Sequence, residues 1–164
     1  MTTGEPYELL TAAPEETERL GACLGRTARG GELLGLVGDL GAGKTCLVRG
    51  VAAGLGADPE AVHSPTFVIA TEYRGGRLPL HHVDLYRLED GLFDIDFLRE
   101  ELFSPGVACV EWFAPLRPHA GDEFLEATLR CDDGDRRRIH FEAHGPRHRA
   151  WLRAALAAHA AAPP

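Results

Sequence analysis

The chain has 164 residues and a formal net charge of −8, with 45% apolar and 26% charged residues. This size and composition are typical of one soluble globular domain with a sizeable core. The acidic balance argues against broad binding to the phosphate backbone of nucleic acids, and no run of about eighteen apolar residues is present to form a membrane-spanning helix.

The cysteines and the first residues of the chain indicate in which cellular compartment the protein is expected. Four cysteines lie far apart with no C-x-x-C pair, which argues against a zinc site or a disulfide framework. The opening MTTGEPYELL lacks the basic start and the apolar stretch of a signal peptide. We therefore expect a cytoplasmic protein that makes no contact with a membrane.

The first part of the chain alternates strand and helix patterns. Residues 7–11 predict a short edge strand, and residues 14–29 predict an amphipathic helix that has Pro14 in its first turn. Residues 32–37 (ELLGLV) form a continuous apolar run, which is the pattern of a strand buried on both faces of a parallel sheet. A glycine-rich loop follows, and then a helix is predicted through about Leu55.

The middle of the chain predicts a hairpin, a helix and a buried strand. Residues 67–74 and 78–85 are predicted to be strands joined by a Gly-Gly-Arg turn. Residues 89–102 predict an acidic amphipathic helix, and residues 107–112 (VACVEW) predict another buried strand that ends in an acid.

The last part predicts a second hairpin and a helical tail. Residues 123–131 and 136–144 alternate apolar and polar residues around Asp-Asp-Gly-Asp, which predicts an antiparallel hairpin at the edge of the sheet. The arginines at 136–138 are expected to be exposed, with contact to a phosphate or tRNA as the alternative. Residues 145–164 predict a helical tail with a partly disordered end. No linker or repeat divides the chain, so residues 1–164 are expected to form a single domain.

Residues 38–45 (GDLGAGKT) fit the phosphate-binding pattern G-x-x-x-x-G-K-[ST] in full. Glycines allow several backbone amides to converge on a phosphate, and the helix that starts near Lys44 adds its positive dipole end. The Lys44 ammonium would reach the β- and γ-phosphates, and the Thr45 hydroxyl would ligate Mg²⁺. The pattern follows a buried-strand run and opens a helix, which is the context that separates a true phosphate loop from a chance match. Lys44 is also the only lysine among 17 basic residues.

The nucleotide is predicted to carry adenine. GTPases read guanine with an Asn-Lys-x-Asp segment, and this chain has no asparagine. It has no glutamine either, so it cannot orient a water molecule as Ras-type enzymes do.

Two acids stand where a magnesium ligand is expected, at the ends of apolar strand patterns. Asp84 follows LHHV and Glu111 follows VACV. Mg²⁺ takes oxygen ligands, commonly from an acid at the carboxyl end of a strand next to the loop. The pattern leaves open which acid binds directly, and each acid alone could be an ordinary strand end. His81 and His82 precede Asp84 on opposite faces of one strand, so they are expected to be structural or solvent-facing.

Four segments, in order and approximate spacing, resemble the bacterial TsaE family (also called YjeE): GDLGAGKT (38–45), SPTF (64–67), DLYRL (84–88) and EW (111–112). The resemblance covers roughly residues 7–143. Members of this family are small P-loop ATPases needed to make N6-threonylcarbamoyladenosine at position 37 of tRNAs that read codons beginning with A. The resemblance implies an α/β fold with a P-loop NTPase-type sheet of mixed parallel and antiparallel strands flanked by helices.

The resemblance also implies roles for individual residues. Thr45 and Glu111 would hold Mg²⁺, Asp84 would act on the metal or on the attacking water, and Trp112 would shape the wall of the site. With Lys44, the two acids would form the catalytic set. Contacts to the ATP are expected from Gly38, Asp39, Gly41, Ala42, Gly43, Lys44, Thr45, Cys46 and Thr66, the last of these in a switch-like segment.

The implied activity is hydrolysis of ATP to ADP and phosphate with Mg²⁺, slow for the chain alone and coupled to partners. The implied partners are a TsaD-like transferase and a TsaB-like scaffold, and tRNA would be contacted only indirectly. The alternative is a P-loop small-molecule kinase, but no segment between the strands is long enough for the arginine-rich lid that such kinases use. A binding protein with a degenerate loop is disfavoured by the intact Lys44, Thr45 and strand-end acids.

Overall fold

Seven strands and four helices are found in a computed structural model, which describes residues 4–65, 69–88, 94–102 and 105–163. The strands are β1 (Glu5–Thr11), β2 (Glu32–Val37), β3 (Ala70–Tyr73), β4 (Leu80–Asp84), β5 (Val107–Glu111), β6 (Phe124–Cys131) and β7 (Arg137–His144). The helices are α1 (Pro14–Thr27), α2 (Lys44–Leu55), α3 (Ile95–Leu102) and α4 (Pro146–Ala161). Thr66 and the predicted start of the acidic helix, residues 89–93, lie outside the described residues. No described helix has both the length and the apolarity to cross a membrane.

All seven strands of the described chain form one mixed sheet in the order β1-β7-β6-β2-β5-β4-β3. β2 lies at its centre and pairs in parallel with both β5 and β6, and β4 pairs in parallel with β5. β3 with β4, β6 with β7, and β1 with β7 are antiparallel pairs. The predicted fold class is therefore confirmed, as are the two hairpins.

The predicted place of the second hairpin was wrong. β1 pairs with β7 along its whole length, from Glu5 opposite Ala143 to Thr11 opposite Arg137, so β7 is covered and β1 forms the edge. The error has a physical reason: alternation of apolar and polar residues shows that a strand has one buried face, as β7 does, but it does not show which strands lie beside it. The prediction of an edge strand at residues 7–11 was correct.

The sheet separates two apolar cores. The larger core lies beneath α1, α2 and α4, and the smaller one lies beneath α3. β2 contributes to both, because Leu34 and Leu36 face the larger core and Leu33 faces the smaller one. The prediction that this apolar run is buried on both faces is confirmed.

The helical tail is anchored by two buried side chains of α4. The indole N–H of Trp151 donates to the carbonyl of Leu24 in α1 at 3.0 Å. His148 Nε2 accepts from the backbone N–H of Leu33 at 3.0 Å, and its Nδ1 lies 3.1 Å from a carboxylate oxygen of Glu123. These contacts join the tail to both α1 and the central strand.

A seam of glycines lets α1 and α2 approach to backbone contact. A Cβ added at Gly50 would lie 2.2 Å from the carbonyl oxygen of Glu18 on the facing helix. At each seam position an added Cβ would lie 2.2 or 2.3 Å from a carbonyl oxygen of the other helix. This glycine seam consists of Gly21, Gly25, Gly50 and Gly54. It brings the start of α2 against the start of α1, where the Cys46 thiol lies 3.3 Å from the carbonyl oxygen of Pro14.

Candidate nucleotide site

The glycine-rich segment forms the turn between central strand β2 and helix α2. Gly41 (φ 78°) and Gly43 (φ 105°) adopt left-handed backbone conformations that residues with a Cβ rarely adopt. Gly43 caps α2, and no side chain caps this end of the helix. The first amides of α2, which have no partners within the helix, are thus directed to one point, as anion binding requires.

Lys44 is folded back onto the loop. Its ammonium donates to the carbonyl oxygens of Gly38 at 2.6 Å and Asp39 at 2.9 Å, and it lies 4.4 Å from the ring centroid of Trp112. Burial lowers the pKa of Lys44, while the nearby Glu111 and other acids act in the opposite direction. An incoming phosphate would have to replace the two carbonyl oxygens as the partner of this cation.

The two predicted acids lie side by side at the carboxyl ends of adjacent strands. Asp84 of β4 is opposite Glu111 of β5, and the two residues are 3% and 2% exposed. The Thr45 hydroxyl donates to Glu111 Oε1 at 2.7 Å, so the loop and the end of β5 are directly joined. Asp84 accepts from the Ser64 hydroxyl at 2.5 Å and from the backbone N–H of Tyr86 at 2.8 Å.

The histidine pair before Asp84 is buried rather than solvent-facing, so the structural alternative of the sequence prediction is confirmed. His81 is 4% exposed, and its Nε2 lies 3.1 Å from the carbonyl oxygen of Pro105. His82 is fully buried, and its Nε2 lies 2.9 Å from Glu111 Oε2. The two rings point to opposite sides of β4, as the sequence predicted, and His82 reaches the carboxylate that also contacts Thr45.

A cavity of about 350 Å³ lies above the loop and these strand ends. Its lining includes Gly41, Gly43, Lys44, Thr45, Cys46, Asp84, Glu111 and Trp112 from the sequence-derived set. The pKa of Cys46 is raised to about 11, mainly by burial, so its thiol is protonated at neutral pH. The volume is within the range of small-ligand pockets.

A second cavity of about 710 Å³ lies on the other side of the loop and shares Trp112 with the first. Gly38, Asp39 and Ala42 line this second cavity rather than the first. Trp112 has a positive φ of 56°, which is rare for a bulky residue and holds its ring between the two cavities. Trp112 lines both cavities. The contacts of Gly38, Asp39 and Ala42 with the nucleotide stay predictions.

Residues from two further segments also line the first cavity. Pro14 and Thr17 approach from the start of α1, and Asp135 and Arg137 approach from the hairpin between β6 and β7. The Arg137 guanidinium lies 3.3 Å from the carbonyl oxygen of Gly41. For Arg137 the signal in the sequence was the run of arginines at 136–138, which could not show which of the three reaches the loop.

The donor chemistry of the site fits magnesium. Within the described ranges, no group of three or more His, Cys, Asp or Glu residues could hold a metal ion by itself. The Thr45 hydroxyl and the Glu111 carboxylate, with Asp84 beside them, offer oxygen donors only. Mg²⁺ is commonly bound by one or two carboxylates together with the phosphates of a substrate, and this site could supply that protein share.

The site combines a parallel strand, a complete phosphate loop and a helix, and an acid lies at the end of the neighbouring strand. This combination defines an α/β protein of the P-loop class. A family model described as threonylcarbamoyl adenosine biosynthesis protein TsaE matches residues 11–139. The chain belongs to the TsaE family, as its sequence motifs predicted.

Curated relatives and a solved structure agree with this assignment. The tRNA threonylcarbamoyladenosine biosynthesis protein TsaE of Bacillus subtilis is 41% identical over 138 residues, which are 84% of this chain and 86% of the relative. The protein of the same name from Treponema pallidum is 41% identical over 77% of this chain and 94% of its own length. The crystal structure of Bacillus subtilis YdiB is similar with a TM-score of 0.79 at 32% identity, covering 96% of this chain and 99% of that chain.

Proposed function

We propose that this protein binds ATP with Mg²⁺ at the phosphate loop and hydrolyses it in the system that forms threonylcarbamoyladenosine in tRNA. The observation that carries the proposal is the 2.7 Å hydrogen bond between Thr45 and Glu111, which joins the end of the loop to an acid on the next parallel strand. P-loop proteins use this pairing of a loop hydroxyl and a strand acid to hold Mg²⁺ beside the phosphates. The tRNA pathway is supported by membership of the TsaE family.

Binding of the phosphates would use the loop amides and Lys44. Gly41 and Gly43 line the cavity in left-handed conformations, which allow the loop to curl so that its backbone N–H groups could converge on a phosphate. Lys44 would exchange its two carbonyl partners for phosphate oxygens. Adenine is favoured over guanine because the chain lacks asparagine for the guanine-reading segment.

Mg²⁺, held by Thr45 and Glu111, would neutralise charge on the β- and γ-phosphates. We assign Asp84 to the attacking water rather than to direct metal binding. Glu111 is the acid that accepts a hydrogen bond from the loop hydroxyl of Thr45, whereas the Asp84 carboxylate accepts from Ser64 and from the backbone N–H of Tyr86. A carboxylate fixed in this way can orient a water molecule for attack on the γ-phosphate.

Turnover of the isolated chain is expected to be slow. Arg137 is the arginine among the described residues that lines the cavity, and its guanidinium is engaged by the carbonyl oxygens of Gly134, Arg136 and Gly41. A partner could supply the charge that stabilises the transition state, as in other P-loop systems. We propose a TsaD-like transferase and a TsaB-like scaffold as these partners in the cytoplasm. tRNA would be reached through them, consistent with a net charge of −8.

Calorimetry with ATP and GTP, each with Mg²⁺, tests the binding step. We expect ATP to bind and GTP to bind more weakly. Lys44→Ala should lower ATP affinity about 100-fold, since a charged hydrogen bond contributes about 1.5–3 kcal/mol. Arg49→Ala is the matched control, because it removes a cation from the same helix outside the cavity. Absence of any heat with ATP and Mg²⁺ for the folded chain would refute the proposal.

A phosphate-release assay tests the reaction. The chain alone should release phosphate from ATP slowly, and addition of the two partner proteins with tRNA should change that rate. Formation of a phosphorylated small molecule in place of free phosphate would instead establish the kinase alternative.

A further inference from the structure

We infer that His82 is a positioning residue that holds the Glu111 carboxylate in the orientation needed for Mg²⁺, an inference that rests on the proposed function of the site. His82 does not line the cavity, so the action proposed for it is through Glu111. Its imidazole Nε2 is 2.9 Å from Glu111 Oε2, and the exposed fractions of the two side chains are 0% and 3%. A hydrogen bond shielded from water in this way is electrostatically stronger than one in water, so it favours one orientation of the carboxylate.

The two oxygens of Glu111 are held from opposite sides. Thr45 donates to Oε1 from the loop, and His82 contacts Oε2 from within the sheet. Rotation of the carboxylate by a quarter turn about its last bond would break both contacts together, whereas a half turn only exchanges two equivalent oxygens. One oxygen of Glu111 is therefore kept facing the hydroxyl of Thr45, which is the other protein ligand proposed for the metal.

The position of His82 is itself fixed by the sheet. β4 lies between β3 and β5, and His82 is paired with Thr71 on one side and Cys109 on the other. Since residues two apart in a strand share a face, His82 and Asp84 lie on the same side of β4. On β5, Cys109 and Glu111 share the corresponding face. The histidine thus approaches Glu111 from a rigid neighbouring strand.

The inference requires one tautomer of His82. Nε2 must be the donor, because an ionised carboxylate only accepts hydrogen bonds. His82 Nδ1 is buried and has no hydrogen-bond partner among the described residues. A histidine kept for packing alone would have no need of this arrangement, because an apolar side chain would fill the space without leaving a buried nitrogen unpaired.

The experiment measures ATP affinity by calorimetry twice for each variant, with Mg²⁺ and with EDTA. His82→Leu keeps the bulk of the side chain and removes the donor, and His82→Gln retains an N–H that can reach the carboxylate. His81→Leu is the matched control, because it removes a buried ring and its contact with the Pro105 carbonyl from the opposite face of the same strand. Circular dichroism establishes that each variant is folded.

We expect His82→Leu to lower the Mg²⁺-dependent gain in ATP affinity by about 10-fold or more, as is typical when a hydrogen-bond partner of a metal ligand is lost. The affinity in EDTA should stay unchanged. His82→Gln should recover part of the gain, and His81→Leu should retain all of it. If the role of His82 were purely structural, His82→Leu would lower stability and would change ATP affinity equally with Mg²⁺ and with EDTA.

The inference is overturned if folded His82→Leu retains the full Mg²⁺-dependent gain. If that variant does not fold, the tautomer in the wild-type protein decides, measured by ¹⁵N–¹H correlation NMR of the imidazole. The Nε2–H form supports the inference, and the Nδ1–H form overturns it. A wild-type protein that binds no ATP, or binds it without a Mg²⁺ effect, would remove the proposed function itself. Normal Mg²⁺ behaviour in both wild type and His82→Leu would remove this inference alone.

Discussion

Gly50→Ala should destabilise the protein, although alanine is the better helix former. In an open helix the substitution gains about 1 kcal/mol. Here the new Cβ would lie 2.2 Å from the carbonyl oxygen of Glu18, and ordinary contact begins at 3.4 Å. Backbone cannot move aside as a flexible side chain does, so α1 and α2 must separate by roughly 1 Å along the glycine seam. Overpacking costs up to about 3 kcal/mol, which leaves a net loss of about 2 kcal/mol.

Urea denaturation of the free protein measures this loss, and Ala53→Gly is its matched control. Ala53 is an exposed residue of the same helix, so the control reports helix propensity without a change at the seam. ATP affinity should also fall in Gly50→Ala, because the seam holds Cys46 against Pro14 on one wall of the cavity. The reasoning about the seam is refuted if Gly50→Ala is as stable as the wild type or more stable.

Two further predictions concern the acids and the buried histidine of α4. Glu111→Gln should raise the Mg²⁺ concentration needed for ATP hydrolysis, whereas Asp84→Asn should lower the maximal rate with little change in that concentration. Mg²⁺ titrations of the hydrolysis rate compare the two variants. The reverse pattern would exchange the roles of the two acids. Burial lowers the pKa of folded His148 below the 6.5 of the unfolded chain, and protonation would also break its bond with the Leu33 N–H. Neutral His148 therefore contributes fully to the unfolding free energy above about pH 6.5, and this contribution is lost as the pH falls below that value. His148→Gln should show a smaller fall in unfolding free energy than the wild type between about pH 8 and about pH 5.5, and equal falls would contradict this assignment.

Much of the site could be predicted from the chain because its chemistry is local. A strand, a loop with glycines at the required positions and a helix that starts at Lys44 are set by residues adjacent in sequence. The left-handed conformations of Gly41 and Gly43 depend on the lack of a Cβ, and no distant contact is needed to anticipate them. The strand-end acids Asp84 and Glu111 were also visible, because each directly follows a short apolar run.

The contacts between these segments could not be predicted in the same way. Thr45 and Glu111 are 66 residues apart, Glu111 and His82 are 29 apart, and Arg137 and Gly41 are 96 apart. Each of these contacts depends on which strands are neighbours and in what register the strands pair. Apolar periodicity shows which face of a strand is buried, but neighbours and register follow from the packing of the whole core.

The same reason explains why the edge of the sheet was misplaced and why His82 was missed. An alternating strand has the same pattern beside one neighbour or two, so nothing within β7 indicated that β1 covers it. A histidine in an apolar strand has many structural uses, and its partner was on another strand. The sequence by itself determined the phosphate loop and the class of fold, and the tertiary structure decided which side chains meet there, because those distances depend on contacts made by every element of the sheet.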